Sequence, residues 1–207
     1  ARLQVFQNAS ICDITAQDEF DLSRPGREKC AFFCISSDQD STFDFLSSLF
    51  FSFLFIKLVR YADAEGVDGK LPIGVKFVLD EFPNLGVIND FKKKISTVRS
   101  RNIGISVIFQ NIAQLKNRYP NDEYLEILGN CDTQIALGCT DEVTARFISN
   151  RTGEVTIDVN SQSKQLHAMR MTDYTPEYRE TNSVGRRKLM TADEVLRMPL
   201  DEALIIL

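Results

Sequence analysis

Twelve uncharged residues, "FLSSLFFSFLFI", separate Asp44 from Lys57, and no other stretch restricts the fold as strongly. Apolar residues recur almost all round a helix there: Phe43, Phe45, Leu46, Leu49, Phe50, Phe51, Phe53, Leu54 and Ile56. A spanning helix needs roughly 20 such residues, so the run reads as a helix buried in a protein and not as a membrane span. Ser41 and Asp44 form a Ser-x-x-acid start signal, and Lys57 and Arg60 sit where cations favour a helix C-terminus. Cover on most sides requires a core, and 207 residues with 43% hydrophobic content and 26% charge are enough to build one.

The material for that cover is an alternation of strands and helices. "KCAFFCIS" reads as a buried strand before the Phe-rich helix, and "VKFVLD" as a strand after it. A turn with Pro83 and Gly86 leads to a helix near "INDFKKKISTVRS", then to a strand "GISVIFQ". A helix around "DEYLEILG", a short strand "TQIALG" and a helix "DEVTARFIS" follow. Parallel neighbours need a crossover and helices supply it, so the rhythm predicts an α/β fold with a mostly parallel sheet and helices on both faces. Residues 151–190 break the rhythm with polar, β-leaning sequence and read as a hairpin or mobile insertion. "TADEVLRM", with a Thr191-to-Glu194 capping box, and the strand "EALIIL" resume it. The domain expected is one unit over 1–207, with its core in about 28–150 and 191–207.

In such a sheet, ligands bind beyond the C-terminal ends of the strands. The run "GVKFVLDEFPNLG" places Asp80 and Glu81 at one such end. A carboxylate there suits a hydrated magnesium ion, and a second acid beside it can orient or activate water for attack on a phosphate. An apolar run followed by Asp-Glu is the Walker B pattern; the plainer alternative is a pair of acids capping the turn before Pro83. "ISVIFQN" ends in Gln110, an amide able to bond a γ-phosphate or its attacking water, or a simple turn residue. Between these strands lie Lys92, Lys93, Lys94, Arg99 and Arg101. They read as a solvated helix face, as a contact for nucleic-acid phosphates, or as an arginine reaching a neighbouring subunit's nucleotide. Arg186, Arg187 and Lys188 read as solvated.

Other features narrow the classes. A formal net charge of -5 gives no global nucleic-acid signature, so any such surface is local. Cys12, Cys30, Cys34, Cys131 and Cys139 include no CxxC pair and read as reduced, structural thiols of a cytosolic protein, while the single His167 makes no metal site alone. No GxxxxGK[ST] loop occurs; "GVDGKL" at Gly66–Leu71 has the wrong spacing and no hydroxyl residue after Lys70. Ala1 in place of Met and a last residue inside an apolar run make both ends read as cut from something longer. If the protein hydrolyses nucleotide, the phosphate cradle is expected upstream, and this fragment alone is expected to be inactive.

"LPIGVKFVLDEFPNLGVINDFKKKISTVRSRNIGISVIFQNIAQLKNRY" and "ILGNCDTQIALGCTDEVTARFISNRTGEVTI" resemble the type IV secretion coupling proteins of the TraG and TraD type, in the form found in conjugative elements of Gram-positive bacteria. "REKCAFFCISSDQDSTFDFL" and "RRKLMTADEVLRMPLDEALIIL" are similar to the same family. The resemblance implies a RecA-like motor domain, here a P-loop NTPase half lacking its P-loop, in a hexameric, membrane-anchored ATPase with a cytoplasmic motor. It implies ATP and Mg as cofactors of the full-length parent, with none held tightly by this fragment, which alone is expected as a monomer. The partners implied are DNA, a relaxase, relaxosome accessory proteins and the secretion channel. Asp80 then matches the metal-holding Walker B acid, Glu81 the catalytic glutamate and Gln110 the phosphate-sensing glutamine. Arg99 and Arg101 fall in the family's arginine-bearing segment. The family's membrane helices and its inserted all-helical domain are not in this sequence. Two alternatives stand beside the motor: a non-catalytic recognition module for relaxosome or substrate proteins, and a metal-dependent nuclease using Asp80 and Glu81, for which further acids are lacking.

Overall fold

The computed structural model describes residues 7, 9–17, 19, 21–36, 41–165, 177–199 and 201–207. The chain divides into two compact units, one of Ala1–Gln110 with Gln114–Cys131, the other of Asn111–Ala113 with Asp132–Leu207.

The first unit is organised by the apolar run. It folds as helix α2 (Asp44–Glu65), which follows a short α1 (Ala9–Thr15) and a 3-10 turn, Ser41–Phe43. The helix starts later than the signal at Ser41 suggests: Phe43 holds the N-cap position, with no side-chain cap bond, and Asp44 is the first helical residue. Lys57 and Arg60 do not lie in the last turn, which has no base, because the buried Leu58 and Ala62 carry the helix on to Glu65. At 22 residues α2 is long and apolar enough to cross a bilayer by length and composition alone. Its Phe51, Leu54, Phe55, Leu58 and Ala62 are instead buried in the protein, whereas Leu49, Phe53 and Ile56 on other faces are exposed. The helix is therefore covered on one face among the described residues, not on most sides.

Strand β1 (Val75–Leu79) lies against that face, and the β alternation is visible in it: Phe77 and Leu79 are buried, Lys76 and Val78 exposed. Phe77 stacks on Phe55 with centroids 4.2 Å apart. Helix α3 (Phe91–Thr97) and a 3-10 turn, Val98–Arg101, form the crossover to β2 (Ile103–Val107). β2 pairs in parallel with β1 from Val75↔Ile103 to Leu79↔Val107, the pairing a crossover permits. Helices α4 (Ile112–Arg118) and α5 (Glu123–Gly129) follow. Phe55, Leu58, Leu79, Phe82, Ile88, Phe91, Leu115 and Tyr119 are all almost fully buried, each apolar side chain contributing roughly 1.5–3 kcal/mol.

"KCAFFCIS" forms no strand: residues 29–36 make no ladder, and Phe33 and Ile35 are 88% and 94% exposed. A strand is a property of two segments, and no partner for this one lies among the described residues. Cys30 and Cys34 are accordingly exposed and not packed as expected; all five cysteines are free thiols. His167 lies outside the described residues.

In the second unit β3 (Gln134–Ala136) pairs antiparallel with β6 (Leu204–Ile206). They cover a small core of Ala145, Ile148 and Val195 from helices α6 (Glu142–Arg151) and α7 (Ala192–Leu196). Asp141 caps α6 by accepting a hydrogen bond from the Thr144 amide at 2.8 Å, and Thr191 with Glu194 forms the capping box of α7. Within 151–190, β4 (Glu154–Gln165) and β5 (Glu177–Lys188) form an antiparallel ribbon of twelve opposed pairs. At its base Arg187 pairs with Glu194, and Lys188 donates to Asn150. Among the described residues, then, one pair of strands is parallel and two are antiparallel.

Candidate functional site

The ladder between β1 and β2 does not stop at Leu79. The Ile108 amide donates to the Leu79 carbonyl at 2.9 Å, and the Ile108 carbonyl accepts from the Phe82 amide at 2.9 Å. In a regular parallel ladder the second link would come from residue 81. Asp80 and Glu81 thus share the space of one residue, which is a bulge, the device that re-aims side chains at strand ends. Glu81 takes the left-handed conformation that this requires, with φ 45° and ψ 44°. Its amide donates to Asp80 Oδ1 at 3.1 Å.

Register brings the third residue in. Because β2 keeps step with β1, Gln110 reaches back and its Nε2 donates to Glu81 Oε1 at 3.0 Å. Two carboxylates and an amide, all at least partly exposed, therefore meet at the C-terminal end of one parallel pair. This donor set suits a hydrated hard cation beside a phosphate, with an acceptor left for water.

The residues after the acids explain the remainder of "DEFPNLG". Phe82 and Pro83 are buried in a 3-10 turn, Phe82–Asn84. Gly86 has φ +78°, and a Cβ there would stand 2.7 Å from the Asp44 carbonyl oxygen, so only glycine fits. Ser48 of α2 donates to the Val87 carbonyl. From the far end of α4, Arg118 Nε donates to the Pro83 carbonyl at 2.5 Å and its terminal nitrogen lies 3.5 Å from Asp44 Oδ2. The Tyr119 ring is stacked on Phe82, centroids 5.2 Å apart and planes within 4°, and its hydroxyl accepts from the Ile88 amide at 3.2 Å. Burial pushes the Tyr119 pKa up to about 12.

The basic residues are arranged differently. Lys92 bridges Glu126 and Glu123 of α5 at 3.2 and 3.3 Å, and those carboxylates, Glu126 foremost, raise its pKa. Lys94 donates to the Asn89 carbonyl, and burial lowers its pKa. Lys93 is exposed. Arg101 grips Asp63 of α2 with two nitrogens, at 2.9 and 3.3 Å, while Arg99 is exposed on the same 3-10 turn. The partners of Lys92, Lys94 and Arg101 thus lie away from the Asp80, Glu81 and Gln110 group. Sequence reasoning passed over Arg118, Tyr119 and Asp44 as parts of this site. No local pattern marks them, because their ties are tertiary.

A family model described as "Type IV secretory system Conjugative DNA transfer" matches residues 1–207. Conjugal transfer protein TraG of Escherichia coli is 32% identical over 149 residues, covering 67% of this chain and 22% of its own length. Protein VirD4 of Rhizobium radiobacter is 25% identical over 168 residues, 81% of this chain and 24% of that protein. The chain thus spans less than a quarter of the length of these relatives. Among solved structures, plasmid coupling protein TrwB in complex with ADP and Mg2+ superposes with a TM-score of 0.55 at 14% identity, over 79% of this chain and 34% of that one. The unbound monoclinic form of the conjugative coupling protein TrwBdeltaN70 gives 0.54, also at 14% identity, over 77% and 33%. Identities this low speak for the fold alone, and the fold is α/β and RecA-like.

Proposed function

Since this chain belongs to the type IV secretory system conjugative DNA transfer family, we propose that its β1 strand end is the hydrolytic edge of a nucleotide-driven motor that moves DNA to a secretion channel. The observation that carries the reading is the bulge at Asp80 and Glu81, with Gln110 bonded to the Glu81 carboxylate.

Asp80 would hold a magnesium ion through its water, with ATP as the nucleotide, and the ion would offset phosphate charge. Glu81 accepts the proton of the attacking water. Gln110, hydrogen-bonded to Glu81, keeps that carboxylate turned toward the site and signals nucleotide state into α4. No GxxxxGK[ST] loop is present, so the phosphates would be cradled by residues outside this sequence. Arg99 or Arg101 would reach the nucleotide of the next subunit in a hexamer; Arg101 would first have to leave Asp63. DNA, a relaxase with its accessory proteins and the channel are the partners of this reading, and its setting is the cytoplasmic side of a membrane-anchored protein.

The test is Glu81→Gln in the full-length protein. ATP binding should persist while turnover falls roughly 10²–10⁴-fold, the usual contribution of a general base. Equal hydrolysis by wild type and variant would remove Glu81 from catalysis and favour a recognition module in its place.

A further inference from the structure

Glu81 does not touch Arg118, yet the residue two places after Glu81 does. Arg118 closes α4, the helix that Gln110 leads into, and its guanidinium spans two partners: the carbonyl of the buried Pro83 and the carboxylate of Asp44 at the start of α2. Tyr119, the next residue, pins Phe82 and Ile88. The turn that immediately follows the bulge is therefore held by the end of the helix that immediately follows Gln110. A planar fork with several donors can serve a carbonyl and a carboxylate together, which an ammonium does poorly.

We propose that Arg118 is a positioning residue for nucleotide hydrolysis: by holding the Pro83 carbonyl against Asp44 it fixes the bulge and keeps the Glu81 carboxylate in hydrogen-bond register with Gln110. The proposal rests on the hydrolytic reading above. Without the fork, the Phe82–Asn84 turn keeps its ring stacking and the bond of the Phe82 amide to the Ile108 carbonyl, but the Pro83 carbonyl loses its tie to the end of α4, and the backbone beside Glu81 is freer to rotate about the strand axis. The Glu81 carboxylate then drifts from the line of attack while residues that bind nucleotide stay where they were.

ATP hydrolysis is measured on the full-length protein as wild type, Arg118→Ala, Arg118→Lys, Glu81→Gln and the Arg118→Ala, Glu81→Gln double variant. Arg118→Ala should lower kcat roughly 10- to 100-fold with KM for ATP unchanged, the size of effect that an ångström of misplacement produces. Arg118→Lys should recover part of the loss. In single-turnover assays the double variant should be no slower than Glu81→Gln, because both changes remove the same contribution. An unchanged kcat in Arg118→Ala overturns the positioning role. So does a further loss of equal size in the double variant, or a fall in kcat accompanied by an equal weakening of KM. Should Arg118→Ala fail to fold, Arg118→Lys carries the same comparison, and an unaltered kcat there overturns the role. Wild type that hydrolyses nothing overturns the hydrolytic reading itself, an outcome distinct from all of these.

Discussion

Glu81 sits in left-handed backbone, a conformation that costs a non-glycine residue about 1–2 kcal/mol. The cost is tolerated because Phe82 and Pro83 directly after it are buried and cannot relax outward. Gly86 completes the same loop by passing close under Asp44. Gly86→Ala should lower unfolding free energy by roughly 1–3 kcal/mol in chemical denaturation, from the positive φ and the clash together. A neutral result would mean that the loop is free to step away from α2. Tyr119 gives a pH signature at the same place. Its folded pKa of about 12 lies above the ordinary 10.0, so the fold favours the protonated phenol. That stability is complete below pH 10 and is lost as pH rises through 12, since the unfolded chain releases the proton first. Tyr119→Phe should flatten the fall in unfolding free energy over this window. It should also be less stable at neutral pH by about 1–3 kcal/mol, because the buried Ile88 amide loses its acceptor. An identical alkaline slope in wild type and variant would assign the loss to other groups.

At the scale of elements, α3 shows how a run of like charges is divided by its surroundings. Lys92 is drawn onto α5 by Glu126 and Glu123, and Lys94 turns back to Asn89, which leaves Lys93 directed to solvent. If α3 meets DNA, Lys93→Ala should reduce the slope of log affinity against log salt by about one, and Lys92→Ala should leave it nearly unchanged. Binding titrations of the full-length protein over a range of salt decide this, and equal slopes for all variants would return the face to solvent. Element type was legible where period and length agreed. β1 and β2 alternate or run apolar for five residues, and α7 announces its cap. α4 was missed because "IAQLKNR" carries too few apolar residues in one turn to show a period, although Leu115 is fully buried. "KCAFFCIS" has strand composition and no ladder, since composition reports a preference and pairing needs a neighbour.

For the molecule as a whole, the candidate site divides the same way. Asp80, Glu81 and Gln110 could be named from the sequence because each ends an apolar run, and the run's own burial fixes where its end falls. What holds them could not, since Arg118 binds partners 35 and 74 residues away. The β4–β5 ribbon has a consequence for how such a chain can change over generations. Twelve opposed pairs at about 3.4 Å each make a rod of roughly 40 Å, and side chains along it alternate between its two faces. Losing one residue from one strand breaks its register with the other, and losing one opposed pair exchanges the faces of everything beyond the cut, whereas losing two consecutive opposed pairs only shortens the rod. Length variants tolerated in descent are therefore those that preserve parity, and the ribbon is a ruler graduated in steps of two residues along each strand.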